Sequence, residues 1–214
     1  HGRLVSASEG SAPASLAADE RRDLADLLDT LADDEWATPS LCTGWSVRDV
    51  AAHVVSYEHL GWTGGIECLA RARFDNGRAN AIGLAEAEHA SPADLVRKLR
   101  DHARPRGLTA GFGGRIALTD SLIHHQDIRR PLGRPRTVPT DRLVVALDFA
   151  MRAPPLPSRK QARGLRLVAT DIDWVTGDGP EVHGTGEALL LAIAGRSPAF
   201  DDLSGPGLER FRPA

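Results

Sequence analysis

The sequence predicts a mainly α protein: a four-helix bundle followed by a smaller α/β unit. Three observations carry this. Apolar residues recur at helical spacing in four segments between Ser15 and Pro135. Start signals for helices precede two of those segments. After Pro139 the character changes, and short strand-like runs appear between turns rich in Gly and Pro.

Residues 1–14 are small and polar and read as a loose N-terminus. From Ser15, Leu16, Leu24, Leu27, Leu28 and Leu31 mark a first helix, with Asp19 and Glu20 placed in its first turn. Thr38-Pro39-Ser40 breaks it, and Thr43-Gly44-Trp45 leads into a second helix. Ser46 caps that helix, with Asp49 three residues on as a short-armed capping box. Val47, Val50, Ala51 and Val54 form its apolar stripe, and it is expected to run towards Ala72. Residues 75–81 read as a loop. Ser91-Pro92 opens a third helix to about residue 104, and a fourth covers about 115–130, closed by Pro131 and Gly133. Four helices with short breaks imply an antiparallel bundle over 15–138.

The C-terminal unit, 139–214, begins with a helix over 140–151, stopped by Ala153-Pro154-Pro155-Leu156-Pro157. A strand is expected over 165–170, continued past a kink by 173–175. A turn at Gly177-Asp178-Gly179-Pro180 then leads to a return strand, Glu181-Val182-His183. An apolar helix from Gly186 to Ala194 ends at Gly195.

Composition narrows the function classes. The 214 residues carry 26 Lys and Arg against 29 Asp and Glu, a formal charge of −3 with no basic run. Nucleic acid is therefore not the expected partner, since phosphate binding needs a concentrated basic face. No apolar stretch approaches the roughly 20 residues of a membrane span, and no signal-peptide pattern is seen, so a cytoplasmic location is expected. Cys42 and Cys68 match no metal motif, and reduced thiols are a simpler reading than a bridge between them. Lys98 and Lys160 are the only lysines. With abundant Ala and Gly, that bias suggests a high-GC bacterial source.

Most histidines read as ordinary. His1, His89 and His102 lie in polar segments expected to be exposed; His59 and His183 fit surface or core. The fourth helix differs. Asp120 and His124 are four apart, one above the other on a helix face, about 5–6 Å between Cβ atoms. Ile116, Ile123 and Asp127 share that side, so the pair is at least partly buried, and a buried carboxylate needs a cation, donor or metal. His53, beside Val54 on the second helix, stands where an inward-facing third ligand would. Two His and one carboxylate make a three-ligand zinc centre with an open fourth position, the arrangement of catalytic sites. On spacing alone the plainer readings stay open: a helix-surface hydrogen bond for Asp120 and His124, a satisfied core histidine for His53. His125 points about 100° away and reads as a supporting or surface residue. Asp127 either orients a ligand imidazole or pairs with Arg129 or Arg130.

The segment Cys42-Thr43-Gly44-Trp45-Ser46-Val47-Arg48-Asp49-Val50-Ala51-Ala52-His53 resembles the start of the second helix in the mycothiol-dependent maleylpyruvate isomerase family, one of the DinB-like metal-binding bundles. Residues 118–133 look like that family's metal-binding helix. Val168-Ala169-Thr170-Asp171 through Trp174, Gly177, Gly179-Pro180 and Gly184 to Gly195-Arg196 is similar to its sterol-carrier-like C-terminal domain. The resemblance implies a DinB-like four-helix bundle in which His53, Asp120 and His124 bind a divalent metal, usually zinc. One departure is visible: the isomerases typically carry Glu where this chain has Asp120, a side chain one methylene shorter with the same charge.

The resemblance further implies mycothiol as thiol cosubstrate. A free thiol has a pKa of about 8.5, and coordination to zinc deprotonates it. The activated thiolate would attack a small electrophile, giving S-transfer or cis/trans isomerisation. Two rivals remain at this level. Zinc-activated water would make a metal-dependent hydrolase, and a bundle that only holds metal or ligand would be a non-catalytic binding protein. Trp45, Tyr57, Trp62 and Arg115 are candidate pocket residues, and self-association into a homodimer is left open.

Overall fold

The computed structural model describes residues 12–56, 89–153, 156 and 160–212. Within them the first helix, α1 (Pro13–Leu28), starts two residues earlier than expected, with Pro13 at its first position. Asp19 and Glu20 consequently fall beyond its first turn, which holds no acidic residue. Glu20 and its neighbour Arg21 are fully buried instead.

The second helix, α2 (Val47–Ser56), begins as the capping box predicts. Ser46 Oγ accepts from the Asp49 backbone N–H at 3.2 Å, and Asp49 Oδ2 accepts from the Ser46 N–H at 2.9 Å. A second reciprocal box, Ser91 with Asp94, opens α3 (Pro92–Asp101). The fourth helix, α4 (Arg115–Arg129), follows a tight turn in which Gly114 has φ +93°. Helix α1 packs against α3 and α4, and α2 packs against the same two. Leu24, Leu28, Val47, Val50, Leu95, Leu99 and Ile128 fill the space between them. Each such side chain contributes roughly 1.5–3 kcal/mol on burial.

The helix α5 (Thr140–Ala150) packs on α4 and α1, so the C-terminal unit is continuous with the bundle. Leu122 and Ile123 of α4 belong to the same apolar core as Leu143, Leu147 and the sheet. In that sheet, β1 (Arg166–Ala169) is central, flanked by β2 (Val175–Thr176) and β3 (Glu181–Gly184). The expected continuation over 173–175 is corrected here. The chain reverses after β1, the Ala169 N–H bonding the Trp174 carbonyl at 2.9 Å, and β2 runs back antiparallel. It follows that β3 is no return strand; it pairs parallel on the other edge, Val168 opposite His183. The link passes so close beneath β1 that a Cβ on Gly177 or Gly179 would lie 2.2 or 2.3 Å from a carbonyl oxygen. Only Gly allows that approach. Helix α6 (Gly186–Ile193) is buried at every residue except Glu187, as a core helix should be. The short α7 (Leu208–Phe211) closes the chain.

The expected loose segment up to residue 11, the run of the second helix to Ala72 and the loop at 75–81 lie outside the described residues. So do His1, Tyr57, His59, Trp62, Cys68 and most of the Pro154–Pro157 stop. No helix among the described residues is long and apolar enough to cross a membrane.

Candidate metal centre

Two helices and one loop build the site. The loop 39–46 is pinned to α4 by the Leu41 N–H, which donates to the Asp127 carbonyl at 3.1 Å. It is closed on itself by Ser40, whose N–H and Oγ both donate to the Trp45 carbonyl. Gly44, at φ +80°, makes the turn. This places Trp45 over the end of α2, its ring centroid 5.3 Å from that of His53.

His53 and His124 face each other edge to face, ring centroids 4.7 Å apart. Asp120 Oδ1 lies 3.5 Å from Nε2 of both. These separations exceed a hydrogen bond between such groups, usually about 2.7–3.2 Å. They match what an ion would need: donors about 2.0–2.1 Å from a tetrahedral zinc lie about 3.4 Å apart. The shorter Asp therefore reaches both imidazoles. The rings are almost wholly buried, whereas Asp120 keeps 36% of its side chain exposed, so the group opens towards solvent on the carboxylate side.

The electrostatics suit a cation. Burial alone would raise the Asp120 carboxyl, but His124 and His53 beside it hold it well below the usual range. Burial would likewise depress His124; Asp120 and Asp127 outweigh it and hold the imidazole well above its ordinary value. Nδ1 of His124 is 2.9 Å from Asp127 Oδ2. With Nδ1 donating there, Nε2 is the nitrogen that faces Asp120, and it would bind an ion on losing its proton.

Asp127 sits against the His124 imidazole, the geometry that one of its two expected roles requires, and its ion pair is with neither Arg129 nor Arg130. Arg196, just beyond α6, takes both of its oxygens, at 2.9 and 2.6 Å. Arg130 is engaged with Glu187 and Asp202, and Arg129 bonds His125. Cys42 completes the cluster, Sγ 3.1 Å from Asp127 Oδ2 and 3.3 Å from an Arg196 nitrogen. Cys42, His124 and Asp127 are also close enough to suggest a second metal group. Their contacts are hydrogen bonds, however, and Arg196 already neutralises the carboxylate, so His53, Asp120 and His124 are the better candidate group for an ion.

Sequence reasoning gave no role to Cys42 or Arg196, although both stand inside the segments that carry the family resemblance. A Cys two residues before the Gly44 turn and an Arg after a helix-ending Gly195 were the available signals. His125 lies elsewhere and is not a surface residue. It is fully buried, Nδ1 2.8 Å from Glu20 Oε1, with Arg129 Nε donating to its Nε2 at 2.8 Å. Arg115 is exposed at the far end of α4, its guanidinium donating to the Phe112 carbonyl. Of the other histidines, His89 is exposed, His102 is half-buried, and His183 is half-buried beside Glu181.

The fold and donor set define a helical-bundle protein whose centre fits a divalent metal. Residues 17–106 match the family described as the mycothiol maleylpyruvate isomerase N-terminal domain. The match contains His53 and ends before Asp120. Two solved structures share the fold over 91% of both chains. One is the mycothiol-dependent maleylpyruvate isomerase, at 13% identity and a TM-score of 0.53. The other is a histidine-to-alanine mutant of a protein with that name, at 16% and 0.56. No curated protein matches the sequence.

Proposed function

We propose that this protein is a divalent-metal enzyme that uses mycothiol against a small electrophile, as an S-transferase or a cis/trans isomerase. The observation that carries the reading is the convergence of Asp120 Oδ1 with His53 and His124 Nε2 at metal-ligand spacing. The family match around His53 and the likeness to the isomerase fold support the thiol. A zinc ion at these donors would supply a thiolate at neutral pH by lowering the pKa of a bound thiol.

The chain's own groups do the rest. Asp127 accepts a hydrogen bond from His124 Nδ1–H and leaves Nε2 as the nitrogen that would bind a metal. Arg196 holds Asp127 ionised, against the burial that would otherwise protonate it. Trp45 shields the His53 ring on the side of the loop. Cys42, the thiol at the centre, is engaged with Asp127. That is consistent with a nucleophile brought by a cosubstrate.

The test is zinc binding by equilibrium dialysis, joined to turnover of maleylpyruvate and of a generic thiol-reactive electrophile with and without mycothiol. One zinc per chain, lost in His53→Ala, with turnover that needs both zinc and mycothiol, is the expected result. Zinc-dependent turnover that ignores mycothiol would make the protein a hydrolase. Absence of stoichiometric zinc would end the proposal.

A further inference from the structure

A second concavity lies at the other end of α4 from Arg115. It measures about 520 Å³, within the range of small-ligand pockets, roughly 300–1,000 Å³. Arg129, Arg130, Arg134 and Arg136 line it, facing one carboxylate, Glu187. None of His53, Asp120, His124, Cys42 or Trp45 is among its described lining residues.

Most of the positive charge is already answered. Arg130 is paired with Glu187 and Asp202, Arg134 with Glu35, and Arg136 with Glu20. Arg129 is not. Its nitrogens donate to His125 Nε2 and to the Arg134 carbonyl, both neutral acceptors. Among the described residues no carboxylate lies within ion-pair distance of it; burial and the like charges of Arg136 and Arg134 act against its charge, and the more distant Glu20 and Asp23 offset them only in part. A half-buried cation crowded by its own kind is unfavourable unless an anion joins it. Gln126 is a second, independent mark. It lines the same cavity, is 2% exposed, and its amide Nε2 has no hydrogen-bond partner. A buried donor left unmatched costs about 1–3 kcal/mol, so a ligand acceptor would be strongly preferred.

We propose that this cleft is a binding site for a small oxyanion, a phosphate or carboxylate group, separate from the centre formed by His53, Asp120 and His124. The forked donors of Arg129 and the Gln126 amide match the planar or tetrahedral oxygens of such a group. Glu187 does not oppose it, because Arg130 already holds that charge.

The test is calorimetric titration of the full-length, zinc-loaded chain with inorganic phosphate and, separately, succinate. Ionic strength is held constant and chloride serves as control. Saturable binding of phosphate alone marks a phosphoryl ligand, and of succinate alone a carboxylate; either supports the site. Gln126→Glu adds a negative charge without changing size and should weaken binding by about tenfold or more, since like charges oppose. Arg129→Gln should do the same if it folds. His53→Ala should leave the binding intact, which separates this cleft from anion capture at the metal. The idea is overturned by absence of saturable binding in the millimolar range, by affinity unchanged in Gln126→Glu, or by loss of binding in His53→Ala.

Discussion

Arg196 grips Asp127 with two guanidinium nitrogens, and the same carboxylate holds His124 Nδ1 at 2.9 Å. A residue of the C-terminal unit thus reaches a metal-ligand candidate of the bundle through one intermediate side chain. The ion pair is buried on the Asp side, where breaking one partner is costly because the other charge is left uncompensated. Arg130, reaching Glu187 and Asp202, ties the same helix to the same unit a turn further on. The two parts of the chain are coupled at the centre as well as through their shared core.

Asp127→Asn should therefore weaken zinc binding by about 10–100-fold, the usual effect of losing a carboxylate behind a ligand imidazole. Competition with a chromophoric chelator measures this directly. Arg196→Gln, which touches no proposed ligand, should weaken zinc in the same direction by a smaller factor. Zinc affinity unchanged in both variants would reduce the Arg196–Asp127–His124 chain to a packing feature.

Gly44 and Gly179 provide a controlled comparison in backbone chemistry. Both have positive φ, +80° and +132°. At Gly44 an added Cβ meets nothing within 4 Å, so Gly44→Ala should cost only the left-handed conformation, about 1–2 kcal/mol. At Gly179 the same atom would sit 2.3 Å from the Gly164 carbonyl oxygen. Gly179→Ala should be the more damaging by at least about 1–3 kcal/mol, through forced backbone strain. Urea unfolding of the two variants gives the order, and equal costs would contradict the close passage beneath β1.

The same contrast separates what was readable in the sequence from what was not. Capping residues and helical spacing are local, and Ser46 with Asp49 and Ser91 with Pro92 placed two helix starts correctly. That Asp120 and His124 would lie together was legible for the same reason, the two sharing one helix face. The burial of Glu20 and Arg21 was not, because a charge is buried only where partners from distant segments meet it. Glu20 depends on Arg136 and Arg142, and Asp127 on Arg196. Sheet topology escaped as well. Period-2 patterning locates short strands but carries no signal for which edge the third one joins.

The buried Glu20–His125 pair makes stability pH-dependent with a definite sign. Arg129 Nε donates to His125 Nε2, which must then be unprotonated, so the ring is neutral and donates from Nδ1 to Glu20. Burial, reinforced by Arg136 and Arg129, depresses His125 from 6.5 to about 4 despite the opposing pull of Glu20. Burial would raise Glu20, but the His125 hydrogen bond and Arg136 bring it down from 4.5 to about 2. Both folded values lie below the unfolded ones, so the unfolded chain binds more protons in each interval. Their contribution is complete above about pH 6.5. It falls as pH drops towards 4 on account of His125, and again between 4.5 and 2 on account of Glu20. The first interval is worth about 3 kcal/mol at 1.36 kcal/mol per pH unit. Urea midpoints of wild type and His125→Gln, followed from pH 7.5 to 4.5, should converge as the pH falls. Glu20→Gln, which leaves Arg136 and Arg142 facing one another, should lose about 3–5 kcal/mol at neutral pH. Midpoints for wild type and His125→Gln that stay a constant distance apart would mean that His125 titrates alike in the folded and unfolded chain, contrary to its burial and the Arg129 hydrogen bond.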